Sequence, residues 1–89
     1  MTSVIRIVAL ANGGYCPYGG QWLKSYDPEA FGGQGDATFT DRIADAIHFL
    51  SVAEAMQLWA TQSRTCPLRP DGRPNKPLTA FTVEIETLV

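Results

Sequence analysis

Apolar and polar residues recur at two spacings along this chain, and together they predict short strands and one main helix. Residues 4–11 are apolar on both alternating faces except at Arg6, which is typical of a central strand. Residues 78–89 alternate, with Phe81 and Val83 on one face and Thr82 and Glu84 on the other. The second segment is therefore predicted to be a strand with one buried face and one wet face.

Shorter segments complete the predicted sheet. Residues 21–26 form a strand in this interpretation, with Trp22, Lys24 and Tyr26 on one face and Leu23 on the other. Residues 37–40 form another short strand, and residues 47–50 a brief extended piece. Between these two, Thr40 is expected to cap a single helical turn over residues 41–46.

The main helix has a start signal in the sequence. Ser51 and Glu54 have the spacing of a capping box, in which each side chain satisfies a backbone N–H of the first turn. Leu50 is expected to pack on that turn as a hydrophobic staple. The helix is expected to end near Ser63 or Arg64, because a proline-rich segment follows.

Helical spacing also predicts which side of the helix faces the sheet. One apolar stripe comprises Val52, Ala55, Met56 and Trp59. Leu58 lies about 120° from that stripe by the helical period, so partial exposure is expected. The fold class predicted is α+β: a small, largely antiparallel sheet of four to five strands with one main helix packed on one face.

Size and composition limit the classes of protein to consider. The chain has 89 residues, of which 45% are apolar and 18% charged, so it is predicted to be one globular domain over residues 1–89. No apolar run approaches the roughly 20 residues of a membrane helix. The first residues lack the layout of a signal peptide, because Arg6 interrupts the apolar run. The prediction is a cytoplasmic protein without a membrane partner.

Candidate catalytic and metal-binding groups are few. His48 is the only histidine, and Cys16 and Cys66 are the only cysteines, each followed by proline. Such isolated residues make neither a zinc site nor a supported Cys–His pair, and free thiols are expected in a reducing compartment. His48 beside Phe49 is interpreted as a buried structural residue. No cofactor, no metal and no catalytic residue is predicted, so the chain is interpreted as a non-enzyme.

Three stretches of this sequence resemble small hypothetical proteins encoded in bacteriophages and prophages. The stretches are YDPEA at residues 26–30, ATFTD at residues 37–41 and LRPDGRPNKPLTAFTVEIE at residues 68–86. The resemblance covers residues 20–88. Those proteins carry no assigned activity, so the resemblance implies a phage-related origin and a bacterial cytoplasm but transfers no functional residue.

Basic residues are concentrated in one proline-rich loop. The stretch 64–76 has a local net charge of +3, with Asp71 opposing four cations, namely Arg64, Arg69, Arg73 and Lys76. Arginine suits bidentate contacts with phosphate or carboxylate. Three interpretations stay open: a solvated loop, a site for an anion or nucleic acid, and a docking site for a protein.

Acidic residues dominate an earlier region. Residues 27–54 have a local net charge of −5, since Arg42 alone opposes six acids, namely Asp27, Glu29, Asp36, Asp41, Asp45 and Glu54. Opposite flanks of this kind can pair between copies or meet within one molecule. The sequence does not distinguish these arrangements.

A glycine-rich loop over residues 12–20 carries Tyr15 and Tyr18, which either bind a partner or cover the sheet edge. The leading hypothesis is a non-enzymatic protein-binding or accessory module, whose partner is another protein or a second copy. The alternative is a module that binds nucleic acid or anions through loop 64–76. The predicted binding residues are Tyr15, Tyr18, Leu58, Arg64, Arg69, Arg73 and Lys76.

Overall fold

The computed structural model describes residues 2–88, in which four antiparallel strands form one sheet in the order β3-β2-β1-β4. The strands are β1 (Thr2–Leu10), β2 (Trp22–Asp27), β3 (Asp36–Thr40) and β4 (Phe81–Leu88). The chain also has a short helical turn, α1 (Ala30–Gly33), and the main helix, α2 (Val52–Trp59). Two 3-10 turns lie at Ile43–Asp45 and Pro77–Ala80. The predicted α+β class is confirmed.

The central strand is β1, which is covered on both faces. Val4, Ile5 and Ile7 are fully buried. One edge of β1 pairs with β4 along nearly its whole length. The other edge pairs with β2 and then with Phe49, whose N–H and C=O both bond to Ser3 at 2.8 Å. The extended piece predicted at residues 47–50 therefore continues the sheet beside β1.

A bulge in β2 overturns one predicted face. The pairing of β2 with β3 shifts register between Leu23 and Ser25. The extra residue places Tyr26 on the same side as Leu23, where both pack against the core. The Tyr26 hydroxyl accepts a hydrogen bond from the N–H of Leu78 at 3.1 Å. The prediction that Tyr26 shares a face with Trp22 is wrong, because strict alternation does not survive a bulge.

The start of α2 follows the predicted capping box with one change. The N–H of Glu54 donates to Ser51 Oγ at 3.2 Å. The Glu54 carboxylate accepts from the N–H of Leu50 at 2.8 Å, one residue before the expected donor. Leu50 itself is 77% exposed, so the predicted hydrophobic staple is wrong.

The end of α2 comes earlier than predicted, at Trp59 rather than at residues 63 or 64. Hydrogen bonds outside the helix hold the following residues. Thr61 Oγ1 donates to the carbonyl of Gln57 at 2.8 Å, and the N–H of Ser63 donates to the carbonyl of Asn75 at 2.8 Å. The Thr61 side chain and the distant Asn75 carbonyl thus take two backbone groups that a longer helix would use.

The apolar stripe of α2 is only half covered. Ala55 is fully buried, and Trp59 packs against the core. Val52 and Met56 are 42% and 52% exposed, although the spacing predicts them in the interior. Leu58, which the spacing places to one side, is half-buried and packs against the core. The helix is therefore rotated so that Val52 and Met56 flank an opening.

The helical turn predicted after β3 is shorter than expected. It covers Ile43–Asp45, and Thr40 does not cap it. Instead Thr40 Oγ1 accepts from the N–H of Arg42 at 3.1 Å, before the turn begins. The Thr40 hydroxyl is therefore engaged in a local bond instead of capping the helical turn.

Candidate functional site

An apolar groove lies between α2 and β4. Its volume is about 580 Å³, and seven of its nine lining residues are apolar, namely Ala11, Val52, Met56, Trp59, Phe81, Val83 and Ile85; the other two are Thr79 and Thr82. Val52 and Met56 form the exposed wall, and the β4 side chains form the floor. With so few polar groups along it, the groove is suited to taking up apolar side chains. We call it the α2–β4 groove.

The outer edge of β4 runs beside the groove, and no strand within residues 2–88 pairs with it. Backbone groups of a strand alternate in direction. Ser3 and Ile7 direct their backbone bonds away from β4, towards Phe49 and Gln21. Their partners on β4, Thr87 and Val83, consequently turn their N–H and C=O groups outward. The edge offers the backbone bonds that an added strand would use.

Trp59 closes one end of this edge. Its Nε1 donates to the carbonyl of Phe81 at 3.2 Å. The carbonyl of Ala80 points towards the end of β1, where it accepts from the N–H of Ala11 at 2.8 Å. Because successive carbonyls of a strand point in opposite directions, the carbonyl of Phe81 points away from β1. The indole thus anchors α2 to the sheet and leaves the edge open from Val83 onward.

The face of β4 opposite the groove is acidic. Glu84 lies 3.7 Å from Arg6 in a partly exposed salt bridge. Glu86 accepts a 2.6 Å hydrogen bond from Nε1 of Trp22, which lies two strands away. Val4, the residue of β1 paired with Glu86, is fully buried. A strand added beside β4 would therefore meet apolar residues on one face and carboxylates on the other.

A second candidate region is made of loops, residues 29–35 packed on residues 63–77, which we call the loop layer. The carboxylate of Glu29 organises it. This group accepts from Ser63 Oγ at 2.5 Å, from the N–H of Arg64 at 2.9 and 2.8 Å, and from the N–H of Thr65 at 3.2 Å. The acidic flank and the basic loop thus meet within one molecule at Glu29.

Two titrating groups in or beside the loop layer, Glu29 and Tyr26, have shifted pKa values. The bond from the Ser63 hydroxyl, followed by the N–H groups of Arg64 and Thr65, holds the pKa of Glu29 below its ordinary value. Burial raises the pKa of Tyr26, and the nearby carboxylates of Glu29 and Asp27 raise it further. Both pKa shifts are therefore accounted for by the hydrogen bonds, burial and nearby charges of the folded chain.

Close packing holds the two halves of the loop layer together. A β-carbon on Gly33 would lie 2.5 Å from the β-carbon of Cys66, so only glycine fits there. The side-chain amide of Asn75 donates to the carbonyls of Gly33 and Cys66 at 2.6 and 2.8 Å. The loop layer is therefore ordered although it holds only one short helical turn.

The four predicted basic residues all lie on the loop layer, but they do not converge on one point. Arg69 Nη2 donates to Thr79 Oγ1 at 3.4 Å, and its N–H bonds to the carbonyl of Arg73 at 2.8 Å. The Arg73 side chain is 3.9 Å from Asp71 and 80% exposed. Arg64 is exposed, whereas Lys76 is partly buried.

The predicted tyrosines have different environments. Tyr15 is 86% exposed. Tyr18 stacks on Phe39 with ring centroids 4.5 Å apart, and Phe39 meets Phe81 edge-on at 5.5 Å. Tyr18 therefore covers the sheet, which is the second of the two roles considered for it. Tyr18 also lines a cavity with Gln34 and Pro77 of the loop layer, whereas Leu58 packs against the core.

The contacts of the cysteines and the histidine do not join them. Cys16 and Cys66 are free thiols. Cys66 Sγ lies 3.4 Å from the carbonyl oxygen of Leu68, and His48 Nε2 lies 3.1 Å from that of Ile43. His48 is exposed, so its predicted burial is wrong.

Sequence reasoning missed the residues of the α2–β4 groove, because Val52 and Met56 fit the pattern of a core stripe. A signal was available in the shortness of the helix, whose single fully buried residue is Ala55. A small residue at the centre of a stripe brings the helix close to the sheet there. Larger residues on either side then stand clear of the sheet.

Comparisons with protein-family models, with curated proteins and with solved structures find no match to this chain. The resemblance to phage-encoded proteins stays a prediction from the sequence. Among residues 2–88, no helix has both the length and the apolar character needed to cross a bilayer.

Proposed function

We propose that this protein is a non-enzymatic protein-binding module that adds an extended segment of a partner protein to the edge of β4. The observation that carries the proposal is the α2–β4 groove beside an unpaired strand edge. Strand addition gains affinity from backbone hydrogen bonds and specificity from pockets for alternate side chains. Both elements are available along β4.

The side chains of β4 indicate which segment would fit. Val83 and Ile85 line the groove, while Glu84 and Glu86 lie on the opposite face. Directly paired residues of opposite charge stabilise neighbouring strands. The proposed occupant is therefore a strand that alternates apolar residues with lysine or arginine, its apolar side towards Met56 and its basic side towards the glutamates.

Charge argues against a second copy of this chain as the occupant. In an antiparallel pair of β4 edges centred on Ile85, Glu84 would lie opposite Glu86 of the other copy. Centring the pair on Glu84 or on Glu86 would place that residue opposite its own equivalent. Like charges directly opposite destabilise a pair of strands. The two registers with the longest overlap, centred on Glu84 and on Ile85, therefore place like charges together, which favours a different protein as the partner.

The proposed setting comes from the sequence. Resemblance to phage and prophage proteins supports an accessory role in the cytoplasm of a bacterial host, with a phage or host protein as the partner. The net charge of −2 is compatible with a basic partner segment.

Selection from a random peptide library would test the proposal. The immobilised protein is expected to enrich extended peptides of about nine residues, a length that spans the eight-residue β4. The enriched peptides should alternate apolar and basic positions. Met56→Lys, which adds a cation to the groove wall, should weaken their binding at least tenfold by the affinity scale.

The matched control is Gln57→Lys, which adds the same charge at the next, exposed position of α2. Binding to this variant should equal that of the wild-type protein. Enriched peptides that bind the Met56→Lys variant equally well would contradict the proposal. A protein that sediments as a dimer through β4 would also contradict it, because a second copy would then occupy the edge.

A further inference from the structure

Phe31, at the tip of the loop layer, has an unusual backbone and an unusual exposure. Within residues 2–88 it is the one non-glycine residue with positive φ, at φ 53° and ψ 43°. Its side chain is exposed, with 73% of the residue accessible to solvent. An apolar L-residue gains nothing for folding from this conformation and exposure, and such outliers concentrate at functional sites.

The surrounding contacts fix the turn that carries Phe31. Glu29 precedes it and binds the segment 63–65, and Gly33 follows it in direct packing against Cys66. The amide of Asn75 holds the Gly33 carbonyl from the opposite side. The aromatic ring is therefore presented by a rigid turn.

One cation of the adjoining loop, Arg69, lies beside this ring. Phe31 and Arg69 line one cavity of about 260 Å³, together with Leu68 and Asn75. Within residues 2–88, Arg69 forms no salt bridge; the ion pairs there join Arg6 to Glu84 and Arg73 to Asp71. An exposed aromatic face thus lies beside an arginine that, in the described part of the chain, has no carboxylate in a salt bridge with it.

We propose that the loop layer binds single-stranded nucleic acid, with a base stacked on Phe31 and neighbouring phosphates bound by Arg69 and the other cations of the loop. Unstacked bases have free faces for an aromatic ring, whereas the bases of a duplex are stacked on each other. Arginine binds phosphate through a bidentate fork. An acidic peptide would use the cations but would leave the exposed ring without a partner.

This surface differs from the α2–β4 groove, so the inference goes beyond the proposed function. The two can hold or fail separately. Lys76 and Arg64 contribute long-range attraction from the same loop, and the overall charge of −2 limits nonspecific binding to duplexes.

Fluorescence anisotropy with labelled oligothymidylate and oligouridylate of about ten nucleotides tests the inference, since sites of this kind span roughly 4–16 nucleotides. At about 50 mM salt, saturable binding to one or both is expected. With about three phosphates contacted, a fourfold rise in salt should weaken binding roughly 20-fold. Phe31→Ala should weaken it about 5- to 150-fold through the lost stacking, whereas Phe31→Tyr should retain it.

Tyr15→Ala is the matched control, because Tyr15 is an exposed aromatic residue outside the segments that make up the loop layer. Its affinity should be that of the wild-type protein. Phe31→Gly keeps the positive φ without strain and confirms, through an unchanged or higher melting temperature, that lost binding is not lost folding. Absence of binding at about 50 mM salt, equal losses in Phe31→Ala and Tyr15→Ala, or equal competition by polyglutamate would overturn the inference.

Discussion

The α2–β4 groove and the loop layer are built on opposite principles. The groove consists of regular elements whose apolar residues leave a space between them, and one side-chain hydrogen bond, from Trp59 to Phe81, spans it. The loop layer has little regular structure, yet the Glu29 carboxylate and the Asn75 amide bind several of its backbone groups.

This difference teaches which surfaces can change without loss of the fold. Groove residues such as Met56 already contact solvent, so replacing them costs little burial. In the loop layer, substitution of Glu29 or Asn75 would leave backbone groups without their partners, and substitution of Gly33 would force atoms together. The groove is thus free to adapt to a partner, while the loop layer must stay as it is to present Phe31.

The largest expected effect comes from adding one carbon atom to the loop layer at Gly33. Gly33→Ala should lower the free energy of unfolding by about 2–5 kcal/mol, combining backbone strain with overpacking. The strain arises at φ 98°, and the overpacking arises because the new β-carbon would meet Cys66 at 2.5 Å. Urea denaturation monitored by circular dichroism measures the change.

Gly32→Ala separates these two causes. Gly32 also has positive φ, at 69°, but nothing lies within 4 Å of a β-carbon placed there. This variant should lose only about 1–2 kcal/mol from backbone strain. If both variants lost the same stability, the two halves of the loop layer would not be in close contact at Gly33.

Glu29 should make the loop layer sensitive to acid. Because hydrogen bonds lower its pKa in the folded state, the unfolded chain binds more protons near the ordinary value of 4.5. Stability is therefore fully present above that value and falls as the pH drops through the lower folded pKa. Glu29→Gln should reduce stability at neutral pH and should make the stability fall less steeply as the pH drops. We call this fall in stability at low pH the acid limb.

Thermal unfolding between about pH 3 and pH 7, the range in which carboxylates titrate, measures the effect. Glu54→Gln is the control, since Glu54 caps α2 from an exposed position and lies outside the loop layer. Its acid limb should keep the slope of the wild-type protein. An unaltered slope in Glu29→Gln would mean that a different carboxylate organises the segment 63–65.

The smallest effect is expected in the groove. Met56→Lys should change the free energy of unfolding by no more than about 0.5 kcal/mol, because Met56 is half exposed and a lysine stem can follow the same path. Ala55→Leu, at the neighbouring buried position, should cost about 1–3 kcal/mol. A large loss in Met56→Lys would show that the groove is closed in solution.

Much of the sheet and the start of α2 could be predicted from local patterns. The β1 and β4 segments, the short β3 strand and the bond between Ser51 and Glu54 all depend on residues near each other in sequence. The end of α2 could not be predicted, because Asn75 and Glu29 are far along the chain from Ser63. The face of Tyr26 depends on a bulge that alternation does not reveal.

The candidate surfaces were predicted only in part. Charge clustering singled out the loop over residues 64–76 as a candidate binding site, and that role stays a prediction. Phe31 was not among the predicted binding residues, since its exposure follows from the left-handed backbone and not from sequence spacing. Val52 and Met56 were assigned to the core, because spacing gives the side of a helix but not its distance from the sheet.

Amide hydrogen exchange along β4, with and without a peptide selected on the protein, tests the central claim most directly. Val83, Ile85 and Thr87 have outward N–H groups, so their exchange should slow markedly when a partner strand bonds to them. The N–H groups of Thr82 and Glu84 already face β1 and should change little. Tight peptide binding with unaltered exchange at Val83 and Ile85 would contradict strand addition at this edge.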